Sequence, residues 1–60
     1  MRPKEMLKTL QRDGWNIVRV SGSHHILQHP TKSGNISLPM HNKEMTIGLQ
    51  NTILKAAGLK

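Results

Sequence analysis

Residues 18–27 read Val-Arg-Val-Ser-Gly-Ser-His-His-Ile-Leu, and this stretch decides the fold. β-Branched side chains before Gly22 favour a strand, and Gly22-Ser23 provides a tight turn into a second one. We therefore expect a β-hairpin with strands at residues 15–21 and 24–29. Pro30 ends the second strand because proline cannot donate to a ladder.

The segments on either side of the hairpin predict two helices and a third strand. Pro3 suits a first helical turn, and Met6 and Leu10 lie at helical spacing, which predicts a helix over residues 3–13. Gly14 is suited to the position just after that helix. A turn at residues 31–35 leads to a short strand at residues 36–38, stopped by Pro39.

An irregular connection at residues 40–47 precedes the second helix. Leu49 and Ile53 lie on one helical face, Gly58 closes the helix, and either Thr46 or Gly48 is its N-cap. The predicted fold class is α+β, with the order α-β-β-β-α in one domain over residues 1–60. We expect a three-stranded antiparallel sheet with both helices on one face and the other face open.

Composition restricts the function classes. The 60 residues carry nine Lys and Arg against three Asp and Glu, a formal net charge of +6, which favours nucleic acid or an acidic protein as partner. Trp15 is the only aromatic residue among Phe, Tyr and Trp, which argues against RNA readers that stack bases on a sheet. Without cysteine, a secretory signal or a long apolar run, we expect a soluble cytoplasmic protein with no membrane partner.

Two adjacent histidines follow the turn, and strand geometry separates them. Neighbouring strand residues point to opposite faces, so His24 and His25 do not meet the same substrate atom. With the two-residue loop Gly22-Ser23, Ser21 lies opposite His24 and Arg19 opposite Ile26. This register places His24 and Arg19 as diagonal neighbours on the open face. A loop one residue longer or shorter reverses the assignment.

Three roles are open for these histidines. Ordinary hydrogen bonding is the commonest role for a strand histidine. Metal binding is the weakest, because the spacing of His24, His25, His29 and His41 matches no zinc signature. The third role is proton transfer, since imidazole titrates near neutral pH. His24 then acts as general base or acid in the attack of an RNA 2′-hydroxyl on the adjacent phosphate, while Arg or Lys neutralises the developing charge.

Basic side chains also line one face of the first helix. Lys4, Lys8 and Arg12 are four residues apart, and like charges at this spacing oppose helix formation by roughly 0.2–0.5 kcal/mol per pair. A phosphate backbone or an acidic partner relieves that repulsion; a solvated lysine face is the plain alternative.

Several short motifs together resemble one family. The run Gly22-Ser23-His24-His25, followed by His29-Pro30, resembles the HicA toxins of prokaryotic toxin–antitoxin pairs. Further matches are Asp13-Gly14-Trp15, Pro39-Met40-His41-Asn42, Ile53-Leu54-Lys55 and Ala57-Gly58-Leu59. The chain departs from the common pattern at Gly48-Leu49, where many members have Thr after the glycine, and at Gln50-Asn51, where many have a basic residue.

The resemblance implies a double-stranded-RNA-binding-domain-like fold and an mRNA interferase that needs neither metal nor other cofactor. By the same resemblance, His24 is the catalytic histidine and a HicB-type antitoxin covers the active site. As RNA-binding residues we expect Lys4, Lys8, Arg19, Gly22, Ser23 and Lys32. The alternatives are a non-catalytic basic RNA-binding module and a subunit whose basic face serves only an acidic protein.

Overall fold

The predicted order of elements is confirmed: a helix, three antiparallel strands and a helix. The computed structural model describes residues 1–41 and 43–60. Its elements are α1 (Pro3–Arg12), β1 (Asn16–Ser21), β2 (His24–Gln28), β3 (Asn35–Pro39) and α2 (Ile47–Ala56). Pro39 was predicted to stop the third strand but is its last residue, which an edge strand tolerates because one side of its ladder is unpaired.

A Schellman motif ends α1. The Trp15 N–H donates to the Leu10 carbonyl at 3.0 Å, and the Gly14 N–H donates to the Gln11 carbonyl at 3.0 Å. Gly14 adopts φ +109°, a conformation that suits glycine, so the predicted role of this residue is confirmed. Trp15 and Leu10 are both fully buried, so the motif also anchors the only tryptophan in the core.

The second helix has a defined start and the same kind of end. The Leu49 N–H donates to the Thr46 hydroxyl at 3.2 Å, so Thr46 is the N-cap, rather than Gly48. At the other end the Leu59 N–H donates to the Leu54 carbonyl at 2.8 Å, and Gly58 has a φ of +73°. This is again a Schellman motif. The first residue of α2 is therefore Ile47, directly after its N-cap.

The sheet has the order β1-β2-β3, and its hairpin register agrees with the prediction. Ser21 lies opposite His24 and Arg19 opposite Ile26. Gly22 has a φ of +59°, and no other residue of the described turn has a positive φ, as in a type II′ hairpin turn. A two-residue loop of this kind fixes which side chains share a face.

One detail of the register differs from the prediction. Ile17 pairs with Leu27 and Arg19 with Ile26, so Val18 is the extra residue of a β-bulge. Regular alternation along β1, with Arg19 on the open face, predicts Val18 on the core face beside Val20. Instead it lines a depression on the opposite face together with Arg19 and Ile26, because a bulge shifts the alternation by one residue.

Both helices pack on one face of the sheet, as predicted. The core is one cluster that draws on both helices, on one residue of β2 and on alternate residues of β3. Its buried members are Met6, Leu10, Trp15, Leu27, Ile36, Leu38, Met45, Ile53 and Ala57. Neither described helix has the length and hydropathy needed to span a bilayer.

The helices cover the sheet unevenly. The main helix–sheet contacts of both α1 and α2 are with β3. By contrast, every residue of β1 is exposed, including Ile17, Val18 and Val20. The helices therefore cover one face of the sheet at β3 and leave the residues of β1 exposed.

We predict that Gly14→Ala lowers the free energy of unfolding by about 2 kcal/mol or more. A Cβ at this position would lie 2.8 Å from Nε2 of His29, and the φ of +109° is strained for alanine. Urea unfolding followed by Trp15 fluorescence measures the change.

Gly48→Ala is the matched control. A Cβ there meets nothing within 4 Å, and alanine favours a helix, so the control gains up to about 1 kcal/mol. Equal stability of the two variants would contradict the role assigned to Gly14.

Candidate active site

His24 lies on the face of the sheet that the helices do not cover. It opens β2, directly after the turn, and its side chain is exposed. Its cross-strand partners are Ser21 on β1 and Pro39 on β3. An imidazole in this position is reachable by a large substrate and is not confined by packing.

The turn before His24 is held at its base and open at its tip. The Met40 N–H donates to the Ser23 carbonyl at 2.7 Å, which ties the turn to the end of β3. A Cβ at Gly22 would meet nothing within 4 Å. A polymer backbone can therefore approach the turn closely without displacing another part of the protein.

Arg19 shares the open face with His24, as the register predicted. It is two residues before Ser21 and thus diagonal to His24. Arg19 also lines a shallow depression of about 230 Å³ with Val18, Ile26, Gln28 and Asn35. Gln28 Nε2 donates to Asn35 Oδ1 at 2.9 Å on the floor of the same region. The open face thus presents one guanidinium, amide groups and His24.

His25 points to the other face. It lies between Val20 of β1 and the buried Leu38 of β3, and it is half-buried. Its Nδ1 is buried without a hydrogen-bond partner in the described part of the chain. The two adjacent histidines therefore have different environments, and only His24 faces the open side of the sheet.

His29 has a structural position. Its Nδ1 accepts the backbone N–H groups of Thr31 at 3.1 Å and Lys32 at 3.2 Å. Because Nδ1 accepts, the proton is on Nε2, which donates to the Asp13 carbonyl at 2.7 Å. The ring also packs edge-on against Trp15 with centroids 5.2 Å apart. Sequence reasoning left the role of His29 open, and these contacts make it a bridge between α1 and β2.

Lys32 is engaged inside the protein. Its ammonium donates to Asp13 Oδ2 at 2.6 Å and to the Ala57 carbonyl at 2.9 Å. The hydrogen bond from Lys32 lowers the pKa of the Asp13 carboxyl below its ordinary value of 3.8. Two of the three ammonium protons are used in this way, so the geometry favours a structural role for Lys32 over phosphate binding.

Lys4 and Lys8 are exposed, but on another surface. The buried side of α1 carries Met6 and Leu10, so the two lysines lie on its outer side, with Arg12. Since α1 covers the face of the sheet opposite to His24, the sheet lies between them. The structure does not bring these lysines together with His24 and Arg19.

A second cavity, of about 220 Å³, adjoins the end of β3. Its walls combine the start of α1 with the stretch from the end of β3 to the first turn of α2, and sequence reasoning did not bring these distant parts together. The lining residues include Pro3, Pro39, His41, Lys43, Met45 and Leu49. Pro39 is also the cross-strand partner of His24, so this cavity lies at the same end of the sheet as the turn. Asn42, the last residue of the motif that begins at Pro39, lies outside the described residues.

Within residues 1–41 and 43–60, no three His, Cys, Asp or Glu side chains come together in a way that would hold a metal ion. His24, His25 and His29 each have different surroundings: the open face, the helix-covered face and the contact with the end of α1.

Comparison with known proteins agrees with the motifs. A family model described as the HicA toxin of bacterial toxin–antitoxin systems matches residues 3–59, nearly the whole chain. No curated protein matches the chain.

The Asp13–Lys32 pair makes stability depend on acid pH. A carboxyl whose pKa is lowered on folding stabilises the protein above its unfolded pKa, and this stabilisation is lost as pH falls through the folded value. We predict that Lys32→Met is less stable than the wild type at pH 7 but loses less stability than the wild type below about pH 4. Urea unfolding at both pH values measures this difference.

Lys8→Met is the control, since Lys8 is exposed on the outer side of α1. It should show the same acid-induced loss as the wild type. If Lys32→Met also shows the wild-type loss, Asp13 does not depend on Lys32 for its ionisation.

Proposed function

This chain belongs to the HicA toxin family, and we propose that it is an endoribonuclease that cleaves mRNA with His24 as general acid–base. Family membership makes it the toxin of a toxin–antitoxin system with a cognate antitoxin as partner. The observation that carries the ribonuclease proposal is the exposure of His24 on the open face, beside a guanidinium and an open glycine turn.

The proposed reaction uses the 2′-hydroxyl of the substrate as the nucleophile. Neutral His24 takes the 2′-hydroxyl proton as the 2′-oxygen forms a bond to phosphorus. The bond from phosphorus to the 5′-oxygen breaks, and that oxygen takes up a proton from the imidazolium or from water. The products are a 2′,3′-cyclic phosphate and a free 5′-hydroxyl, and every step proceeds without a metal ion.

Arg19 and the turn supply the binding contacts in this proposal. A guanidinium donates two parallel hydrogen bonds to a phosphate, and negative charge develops on the phosphate oxygens during attack. Arg19 lies diagonal to His24, so one phosphate can be held near the imidazole. Gly22 and Ser23 let the RNA backbone come close, because no side chain stands over Gly22.

The other predicted cations act differently. Lys4 and Lys8 lie on the far side of α1, so we propose that they attract RNA over a distance, within a Debye length of about 8–10 Å at physiological salt. Lys32 is held by Asp13 and Ala57, and we leave it out of the RNA-binding surface.

We predict that His24→Ala lowers RNA cleavage by about 10²–10⁴-fold, the usual contribution of one positioned acid–base group. The measurement is cleavage of a defined mRNA by purified protein in EDTA, at equal concentrations of folded wild type and variant. His41→Ala is the control, because His41 is an exposed histidine that lies after β3, outside the three strands.

Each outcome of this experiment is informative. Equal cleavage by wild type and His24→Ala would show that His24 is not the catalytic group. Binding of RNA without cleavage by the wild type would favour the alternative function, a non-catalytic basic RNA-binding module. The charge of +6 supports either function, so only the cleavage measurement separates them.

A salt titration tests Arg19 separately. In the His24→Ala background, which keeps the RNA intact, we predict that Arg19→Gln weakens binding of single-stranded RNA. It should also make the slope of the logarithm of the RNA association constant against the logarithm of salt concentration less steep by about 0.7, the value for one phosphate contact. Arg12→Gln, which removes an exposed guanidinium from α1, is the matched control. If both variants change the slope equally, the open face is not the preferred RNA surface.

A further inference from the structure

β1 is an edge strand whose residues are all exposed, with apolar side chains on both faces of the sheet. It pairs only with β2, so its other edge is free in the described structure. Ile17 is 37% exposed, Val18 53% and Val20 57%. Because of the bulge, Val18 lies on the open face, while Ile17 and Val20 pair with residues of the helix-covered face. The strand therefore presents apolar side chains on both faces beside unpaired backbone groups.

The other edge of the sheet differs. β3 has its alternate residues Ile36 and Leu38 buried beneath the two helices, and it ends in Pro39. Proteins protect solvent-exposed edges with charges, prolines or bulges, since a bare edge is a template for another strand. β1 has two such protective features, the charge of Arg19 and the bulge. Three of its aliphatic side chains are nevertheless exposed.

We propose that a strand-forming, acidic segment of the cognate antitoxin pairs with the free edge of β1 and extends the sheet to four strands. This mode, strand addition, obtains affinity from main-chain hydrogen bonds and specificity from alternate side chains. Residues of the added strand cover Val18 on one face and Ile17 and Val20 on the other. The binding proposal rests on the toxin–antitoxin assignment, and only its consequence for inhibition rests also on the proposed RNA site.

Charge selects an acidic protein over a second copy of the chain. Each copy carries a net charge of +6, and Arg19 lies in the middle of β1. Two β1 strands paired antiparallel bring two Arg19 side chains near each other, and like charges across strands are destabilising. An acidic side chain on the added strand instead forms an ion pair with Arg19.

The same docking inhibits the toxin. Arg19 is the guanidinium next to His24 on the open face, so an acidic residue paired with it occupies the position proposed for phosphate. The added strand also lies beside Ser21, the cross-strand partner of His24. Binding at β1 thus blocks RNA without a contact to the imidazole itself.

The test compares three variants for binding to the purified cognate antitoxin. Val20→Glu should weaken binding at least tenfold, and Val20→Lys should weaken it less, because lysine attracts an acidic strand. Ile47→Glu, at a residue 76% exposed on α2, is the matched control and should bind like the wild type. Circular dichroism confirms that each variant is folded.

Hydrogen exchange locates the contact independently of any substitution. In the complex, amides within residues 16–21 should exchange at least tenfold more slowly than in the free toxin. No change in β1 together with protection elsewhere would overturn the proposal, as would equal binding by Val20→Glu and Ile47→Glu. A free toxin that is a dimer, and becomes a monomer on Val20→Glu, would assign the edge to a second copy. Protection of β1 by RNA alone would assign it to the substrate.

These results are independent of catalysis. A wild-type chain that binds the antitoxin through β1 but does not cleave RNA contradicts the ribonuclease proposal and leaves strand addition intact. A chain that cleaves RNA but binds the antitoxin without using β1 contradicts strand addition and leaves the ribonuclease proposal intact.

Discussion

The fold depends on the polar contacts that meet at the end of β2. The His29 ring donates to the Asp13 carbonyl at the end of α1 and accepts two backbone N–H groups from the turn that follows β2. Lys32, in that turn, reaches both Asp13 and the Ala57 carbonyl at the end of α2. Each hydrogen bond contributes only about 1 kcal/mol, but together they connect both helix ends to one turn. A 60-residue chain buries only about 60% of its unfolded surface, so such connections are a large share of its stability.

This arrangement also explains why three histidines close in sequence have three roles. The Nδ1 of His29 accepts hydrogen bonds from two backbone N–H groups, and His25 lies on the helix-covered side between Val20 and Leu38. His24 has no such constraint and faces the open side. The separation of His24 from His25 was predictable, because a two-residue Gly22-Ser23 loop fixes the register and side chains alternate along a strand. The role of His29 was not, because it requires the end of α1 to lie next to the end of β2.

Other features also divide into those that local sequence predicts and those that it does not. The glycines that end both helices were predictable, since a positive φ is a local requirement. The bulge at Val18 was not, because one extra residue in a strand has no local signal and shifts the face of the side chain. Nothing in the sequence around Lys32 distinguishes it from the other cations of this basic chain. Its contacts with Asp13 and Ala57, which are distant in sequence, do distinguish it. Local chemistry thus predicted the elements and the turn, whereas the partners of Lys32 depend on contacts between distant segments.

The uneven cover of the sheet follows from the size of the chain. Two helices of ten residues each are about 15 Å long and pack mainly on β3, which leaves β1 without a partner layer. Exposed aliphatic residues on a free edge are a liability for an isolated protein. If the antitoxin binds this edge as proposed, its binding also adds to the stability of the toxin, since a ligand that binds only the folded state stabilises it by RT ln(1 + [L]/Kd). At a partner concentration of 100 Kd this is about 2.7 kcal/mol, comparable with the contribution of the contacts around His29. Under the proposed strand addition, a chain too small to cover its own sheet would be more stable with its partner bound than alone.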